Sequence, residues 1–268
     1  MKTLDKIPTG KIERAGKLVK TGVKVGGNFV KYYGKKLVNP EHDKEELNED
    51  NASDIYNGLK SLKGSALKVA QMLSMEKNLL PSAYVEKFSL AQFSVPPLSA
   101  PLVRKTFKRY LNKFPEEVFD SFERNSINAA SIGQVHKATK NGKELAVKIQ
   151  YPGVAESISS DLAIVKPIAI RMFNLQGKDS DKYFKEVELK LLEETDYSLE
   201  FIQSEEITKA CRIIPNLEFP KYDQDLSSER IRTMDWMHGR HLSEFTRQSF
   251  SSKLGNKLGQ ALWDFYMF

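Results

Sequence analysis

The chain has 268 residues, of which 40% are hydrophobic and 28% are charged, and it contains one cysteine. This ordinary globular composition excludes collagen-like, disordered and disulfide-scaffold proteins, and the length allows one large domain or two small ones. The single Cys211 excludes an internal disulfide and indicates a reducing, cytoplasmic compartment. We recognise neither an N-terminal secretory signal nor a stretch that is long and apolar enough to span a bilayer.

The positive charge is concentrated at the N-terminus. Residues 1–38 contain ten Lys and Arg but only two acidic residues, Asp5 and Glu13, so the rest of the chain is close to neutral. A near-neutral body argues against a surface that coats nucleic acid. The basic arm has two interpretations. In the first, it is an amphipathic helix that binds an anionic membrane or an isoprenoid lipid, which would place the protein peripherally at the inner face of a membrane. In the second, it is a solvated helix that packs on its own domain.

The sequence up to residue 117 is predicted to be helical. The acidic, polar segment 41–54 reads as a linker, so residues 1–50 form an arm and linker and residues 51–117 form a helical extension. Apolar residues in the extension recur at intervals of three and four, which is typical of helices. The predicted helices cover 52–77, 102–113 and a short segment from Pro115, with a proline-marked break at 93–101.

After residue 117 the apolar residues no longer recur at helical intervals but alternate with polar residues, which predicts strands. Asn141-Gly142 is a strong signal for a tight turn between two of them. The predicted strands cover 122–126, 133–139, 144–150 and two segments between Phe219 and Trp236, and further helices cover 154–173, 182–209 and 254–268. The pattern indicates an α+β fold in which a small antiparallel sheet is combined with many helices.

One hairpin carries the residues that point to chemistry. The loop Ala129-Ala130-Ser131 is built from small residues, which let backbone N–H groups approach a phosphate. Lys148 lies between Val147 and Ile149 and therefore faces the opposite side of the sheet, under that loop, as a phosphate-binding lysine does in a kinase-like lobe. Taken singly, such a lysine is more often a surface residue and such a loop is more often an ordinary turn.

A partly buried lysine at this position needs a carboxylate partner. Four acidic residues on a later helix are candidates, and the residues alone leave the choice open: Glu193, Glu194, Asp196 and Glu200.

Four segments in this order resemble the UbiB/AarF family of atypical protein-kinase-like proteins, which is associated with ubiquinone and isoprenoid-lipid metabolism. The likeness covers residues from about 50 to 268. The segments are a helix with Lys68-Val-Ala-Gln71, the alanine-rich loop Ala129–His136, the strand Ala146-Val-Lys148 followed by Ile149–Val154, and Glu194-Thr-Asp196-Tyr197. Because the family is kinase-like, the resemblance implies a nucleotide cofactor, ATP or ADP, with Mg²⁺ in the full-length protein.

The resemblance also implies roles for single residues. Lys148 would hold the α- and β-phosphates with Glu200 as its catalytic partner and Glu194 as the alternative, while Ala129, Ala130 and Ser131 would cover the phosphates. A hinge beside the adenine would be formed by Met234, Asp235, Trp236 and Met237. The alternative interpretation of these four residues is an ordinary core strand. Regulatory residues would be Lys68 and Gln71, on helices that fold over the cleft and hinder protein substrates, with Lys68 in contact with Glu194 and Asp196.

Two features depart from the family pattern. Ala70 replaces the family's glycine, a change that favours a helix by about 1 kcal/mol. The catalytic loop and the metal-binding Asp-Phe-Gly are absent, since Asp264-Phe265 is followed by Tyr266 within an apolar helical run. We therefore expect that the sequence stops before the catalytic loop, that it holds no metal site, and that this chain alone is inactive or nearly so.

These features predict a protein-kinase-like N-lobe over residues 118–237, with the helical extension before it and the start of a helical C-lobe over residues 238–268. The full-length protein is expected to be an ATP-binding atypical kinase or ATPase that supports ubiquinone or other isoprenoid-lipid metabolism. The alternatives are a non-catalytic, nucleotide-gated lipid-binding or scaffold protein at a membrane surface, and a plain interaction domain. The sequence carries no information about the oligomeric state.

Overall fold

The structure is a computed structural model that describes residues 8, 10–75, 80–92, 97–173, 178–245 and 251–268. The helices are α1 (Lys11–Val38), α2 (Glu45–Leu62), α3 (Gly64–Met75), α4 (Ser82–Ser89), α5 (Ala100–Leu111), α6 (Pro115–Val118), α7 (Val154–Phe173), α8 (Lys178–Thr195), α9 (Tyr197–Ala210), α10 (Leu242–Phe245) and α11 (Ser252–Met267). The strands are β1 (Ser121–Phe122), β2 (Asn128–Ala129), β3 (Gly133–Lys140), β4 (Lys143–Gln150), β5 (Tyr222–Ser228) and β6 (Ile231–Asp235).

The strands form one antiparallel sheet in the order β1-β3-β4-β6-β5, with β2 paired to β3 beside β1. The hairpin β3–β4 is continuous from Gly133 opposite Gln150 to Lys140 opposite Lys143. Its turn residues Asn141 and Gly142 have φ values of 50° and 76°. Positive φ at both central residues is what a twist-compatible two-residue turn requires. The predicted α+β fold, with a small antiparallel sheet and many helices, is confirmed.

The segment predicted as an acidic linker is largely helical, so that prediction was wrong. Helix α2 begins at Glu45, and its acidic side chains face the lysines of α1 in the ion pairs Lys24–Asp54, Lys31–Asp50 and Lys35–Glu46. The two helices also approach closely at Gly58, where an added Cβ would lie 2.1 Å from the Thr21 Oγ1. The basic arm, from residue 10 onward, is thus one helix that packs on its neighbour through charge complementarity.

The helix predicted over 52–77 is in fact two helices, although residues 76 and 77 lie outside the described part. The break is at Lys63 and Gly64, which have φ values of 53° and 63° and so cannot continue an α-helix. The helix predicted over 182–209 is likewise divided into α8 and α9. Asp196 is the N-cap of α9, where its side chain accepts hydrogen bonds from the N–H groups of Ser198 and Leu199.

A third difference concerns the strand predicted over 122–126. Only residues 121–122 form β1, and a second short strand, β2, follows at residues 128–129. Both pair with β3 on the same edge, so the segment between them bends away from the sheet and returns to it. The return places residue 129 and the loop after it directly beside the start of β3.

Two hydrophobic cores position the elements. The first core lies among helices α1–α4, α7 and α8, and the second lies between the sheet and helix α5. Helix α3 contributes five buried residues to the first core, yet its N-terminal Gly64 donates a hydrogen bond to the Ser131 carbonyl of the β2–β3 loop at 2.9 Å. Helix α3 therefore connects the helical core to the sheet. No helix within the described ranges is long and apolar enough to cross a membrane.

Candidate functional site

A cleft of about 210 Å³ lies where the β2–β3 loop meets helices α3 and α8. Six residues that the sequence singled out line this cleft together: Lys68, Gln71, Ala130, Ser131, Lys148 and Glu194. They come from four separate elements of the chain. The fold therefore gathers these six of the predicted nucleotide-binding and regulatory residues at one place.

The loop on one side of the cleft is held tightly. Ala129 pairs with Gln134 in the sheet, and the Ala130 N–H donates to the Gly133 carbonyl at 2.8 Å. Gly133 has no room for a side chain, because a Cβ there would lie 2.8 Å from the Ile149 carbonyl oxygen. A glycine at position 133 is thus required for the backbone to lie close to β4, which carries Lys148.

Lys148, which lines the cleft, contacts Glu200 of helix α9. The Lys148 Nζ lies 3.3 Å and 3.5 Å from the two carboxylate oxygens and 4.4 Å from the centre of the Tyr197 ring. Burial lowers the pKa of Lys148, and the nearby Glu200 charge opposes that effect. Burial also raises the pKa of Tyr197, which remains a neutral phenol beneath the ammonium. Of the four candidate carboxylates, Glu200 is the one that contacts Lys148.

Arg232 is a member of this group that the sequence analysis missed. It lies directly opposite Lys148 in the β4–β6 register, and its Nη1 is 2.5 Å from the Glu200 Oε1. The Arg232 charge contributes to lowering the pKa of Lys148. Its side chain is only 11% exposed and that of Glu200 is 31% exposed, so two cations share one partly exposed carboxylate. A strand pattern alone gives no cross-strand register, and therefore no signal in the sequence links Arg232 to Lys148.

The residues predicted to be regulatory lie over the same cleft. The Lys68 Nζ is 2.7 Å from the Glu194 Oε1, and Ser131 Oγ donates to the Gln71 Oε1 at 3.5 Å. Asp196 was expected to contact Lys68 but instead caps helix α9. Helix α3 is thus tied to α8 by an ion pair and to the alanine-rich loop by a hydrogen bond. Regulation by these residues stays a prediction.

The predicted hinge lies beside the cleft and does not line it. Met234 pairs with Ala146, the Asp235 N–H donates to the Lys221 carbonyl, and the Trp236 N–H donates to the Glu144 carbonyl at 3.0 Å. Met237 is 46% exposed. These residues follow Arg232 by two to five positions along β6 and beyond its end. Their contact with an adenine remains a prediction.

The described residues contain no group of three or more His, Cys, Asp or Glu side chains that could hold a metal ion. The cleft itself fits phosphate, since it combines a cation, a loop of small residues and a limited volume. The fit to Mg²⁺ is poor, because Glu194 and Glu200 are already engaged by Lys68, Lys148 and Arg232.

Comparison with known proteins gives a consistent set of similarities. A family model described as "ABC1 atypical kinase-like domain" matches residues 90–267. The chain is 27% identical to the probable serine/threonine-protein kinase abkA of Dictyostelium discoideum, over 92% of this chain and 48% of the relative. It is 33% identical to the mitochondrial atypical kinase COQ8B of Danio rerio, over 74% of this chain and 32% of the relative.

Two further matches extend this set. The chain is 30% identical to the mitochondrial atypical kinase COQ8 of Saccharomyces cerevisiae, over 77% of this chain and 42% of the relative. A solved structure, the complex of Rv3197 with erythromycin from Mycobacterium tuberculosis, matches with 31% identity and a TM-score of 0.50, over 78% of this chain and 54% of that one. The chain therefore spans about half or less of the length of these curated relatives.

Proposed function

Because the chain belongs to the ABC1 atypical kinase-like family, we propose that the protein binds ATP between the alanine-rich loop and Lys148 and uses it in ubiquinone or other isoprenoid-lipid metabolism. The family prediction made from four sequence segments is confirmed by the match to residues 90–267 and by the COQ8 relatives. The observation that carries the proposal is that Lys148 lines the same cleft as Ala130 and Ser131 and is held there by its contact with Glu200.

The residues of this chain divide the binding task. Lys148 donates hydrogen bonds to phosphate oxygens, and Glu200 keeps its ammonium charged and aimed into the cleft. The backbone of the Ala129–Ser131 loop covers the phosphates from the opposite side. When bound, ATP would supply an activated phosphoryl group for transfer or hydrolysis by the full-length protein.

The distance along the sheet supports a nucleotide that extends from Lys148 toward the predicted hinge. Met234 pairs with Ala146 and Asp235 pairs with Leu145, two and three residues from Lys148 along β4. At about 3.3 Å per residue these positions lie about 7–10 Å from Lys148, the separation expected between phosphates and a base. The adenine binds at Met234–Met237 in this arrangement.

The covering of the cleft favours a small substrate over a protein. The pair Lys68–Glu194 and the contact of Gln71 with Ser131 hold helix α3 across the loop, where a protein substrate would have to approach. A lipid precursor needs less access. This argument supports the proposed role of the protein in lipid metabolism. It also supports a regulatory role for Lys68 and Gln71, which limit access to the cleft.

The proposal is tested by calorimetric titration of the chain with ADP and with ATP and Mg²⁺, followed by measurement of ATP hydrolysis by the full-length protein. We expect saturable binding by the chain and turnover by the full-length protein. Binding without turnover would overturn the enzymatic part and leave a nucleotide-binding protein. Absence of binding by both forms would overturn the site.

One observation favours the second candidate, a non-catalytic, nucleotide-gated lipid-binding or scaffold protein at a membrane surface. Helix α1 exposes a row of large apolar side chains among its lysines: Ile12, Val19, Val23, Val30, Tyr33 and Leu37. A basic helix with such a row can lie in the interface of an anionic membrane, so we propose a peripheral location at a membrane face. Flotation with vesicles that contain anionic lipid, compared with neutral vesicles, tests this location. Failure to turn over ATP would favour this candidate.

A further inference from the structure

An apolar cavity of about 410 Å³ lies on the far side of helix α3 from the nucleotide cleft. Its walls come from five helices: α1, α2, α3, α4 and α7. The volume lies within the range of about 300–1,000 Å³ that is typical of small-molecule sites. The cavity is separate from the cleft, since no residue lines both.

The lining of the cavity is almost wholly hydrocarbon. Among the residues that line it, Thr21 has the one polar side chain, and its Oγ1 already donates to the Lys17 carbonyl at 3.1 Å. No charged side chain lines the cavity. A site without polar partners disfavours water and selects a ligand by apolar contact alone. The chemistry therefore indicates a hydrocarbon chain.

Two glycines on α1 leave room for such a chain. Gly22 and Gly26 line the cavity, and a Cβ added to either would meet no atom within 4 Å. Side chains at these positions would fill the space between α1 and the wall formed by Leu73 and Val165. The gap in the packing thus follows from the absence of side chains on one helix face.

The surroundings of the cavity indicate what kind of molecule carries the chain. Val19 and Val23, beside Gly22 in the sequence, are 66% and 71% exposed and continue the apolar surface outward along α1. This apolar surface leads from solvent or membrane toward the cavity, so an amphiphilic lipid can enter along it with its polar headgroup left outside.

We propose that this cavity binds the hydrocarbon chain of an amphiphilic lipid. The inference deepens the proposed role in lipid metabolism, because it locates a lipid site on the helix that also lines the nucleotide cleft. Val69, Ala70 and Leu73 of α3 face the chain, whereas Lys68 and Gln71 of the same helix face the nucleotide. Ala70, which replaces the family's glycine, thereby contributes a methyl group to the cavity wall.

The test uses cis-parinaric acid, a fluorescent fatty acid whose emission rises in a dry environment, at concentrations below micelle formation and without nucleotide or vesicles. The variant Gly26→Leu fills the cavity from α1 and is expected to weaken parinarate binding by about tenfold or more. Gly27→Leu is the matched control. It gains the same helix propensity on the same helix, has no atom within 4 Å of the new Cβ and does not line the cavity. Its affinity should stay within about twofold of the original chain.

Gly22→Leu is the second filling variant, and circular dichroism verifies that every variant keeps its helical content. Parinarate binding that Gly26→Leu and Gly22→Leu weaken and Gly27→Leu leaves unchanged would support the proposal. No binding to the original chain, or equal affinities in all three variants, would overturn it. Because nucleotide is absent from the assay, a failure here is distinguishable from a failure of the ATP site.

Discussion

Lys148 and Arg232 lie directly opposite each other on strands β4 and β6, and both side chains reach the carboxylate of Glu200 on helix α9. Like charges placed opposite each other on neighbouring strands destabilise a sheet. The shared carboxylate relieves that repulsion and fastens α9 to the sheet. Glu200 therefore has a structural role in addition to its contact with the proposed phosphate-binding lysine.

This arrangement predicts that Glu200→Gln is destabilising. Removing the carboxylate leaves two cations facing each other, and we expect a loss of about 2 kcal/mol in the free energy of unfolding, below the 3–5 kcal/mol of a fully buried pair because Glu200 is partly exposed. Arg232→Met removes one of the two cations. In the double variant the two losses should therefore fall short of additivity by about 1 kcal/mol. Urea unfolding of the four proteins measures this coupling, and strict additivity would contradict the shared-carboxylate arrangement.

Lys148→Met should abolish the stabilisation of the protein by nucleotide. A ligand at about 100 times its Kd stabilises the folded state by about 2.7 kcal/mol, and the methionine keeps the length of the side chain but cannot bind phosphate. Thermal unfolding with and without ADP measures the effect. Lys143→Met, at the exposed beginning of the same strand, is the control and should keep the full shift. An unchanged shift in Lys148→Met would show that nucleotide binds elsewhere.

Glu194→Gln should tighten nucleotide binding. Glu194 lines the cleft and adds a negative charge near the proposed phosphates. Its neutralisation removes the repulsion between these charges, so the affinity for nucleotide should increase several-fold at low salt. The effect should shrink at high ionic strength because exposed charges are screened. Glu193→Gln is a neighbouring control, since Glu193 does not line this cleft and contacts Lys190 and Gln203. Titration with ADP at two salt concentrations distinguishes the two variants, and equal affinities would contradict the electrostatic argument.

Much of the sheet could be predicted from local sequence. The alternation on both sides of Asn141-Gly142 fixes the turn, the register of the hairpin and the side of the sheet on which Lys148 lies. The division between α8 and α9 also had a local signal, because Asp196 is a typical N-cap residue followed by a helical segment.

Other features depend on contacts between distant segments, which no local pattern contains. Arg14 forms a buried ion pair with Asp161, 147 positions along the chain, and this pair helps to hold α1 on the helical core. The pairing of Arg232 with Lys148 depends on the register between β4 and β6, which are separated by 80 residues of chain. The break at Lys63 depends on tertiary packing as well, since the residue before Gly64 gives no signal of a positive φ.

Lys63 carries the last prediction, which concerns pH. Its side chain is fully buried, with the Nζ 4.0 Å from the centre of the Tyr151 ring, and burial lowers the pKa of Lys63 to about 7 from an unfolded value of 10.5. Below pH 7 the folded protein carries a buried charge, which costs stability. Between about pH 7 and 10.5 the unfolded state binds a proton that the folded state does not. Stability should therefore rise with pH in this window, by at most about 1.4 kcal/mol per pH unit from this group.

Lys63→Met isolates this contribution, because the pKa of Lys148 is also lowered and gives a slope of the same sign. The variant should show a shallower increase in stability between pH 6 and 9 than the original chain, since methionine has no proton to lose. Arg14 contacts the Lys63 backbone carbonyl and keeps its ion pair with Asp161 in both proteins, so it cancels in the comparison. Urea unfolding at four pH values measures both curves. Parallel curves would show that Lys63 does not lose its proton in the folded protein.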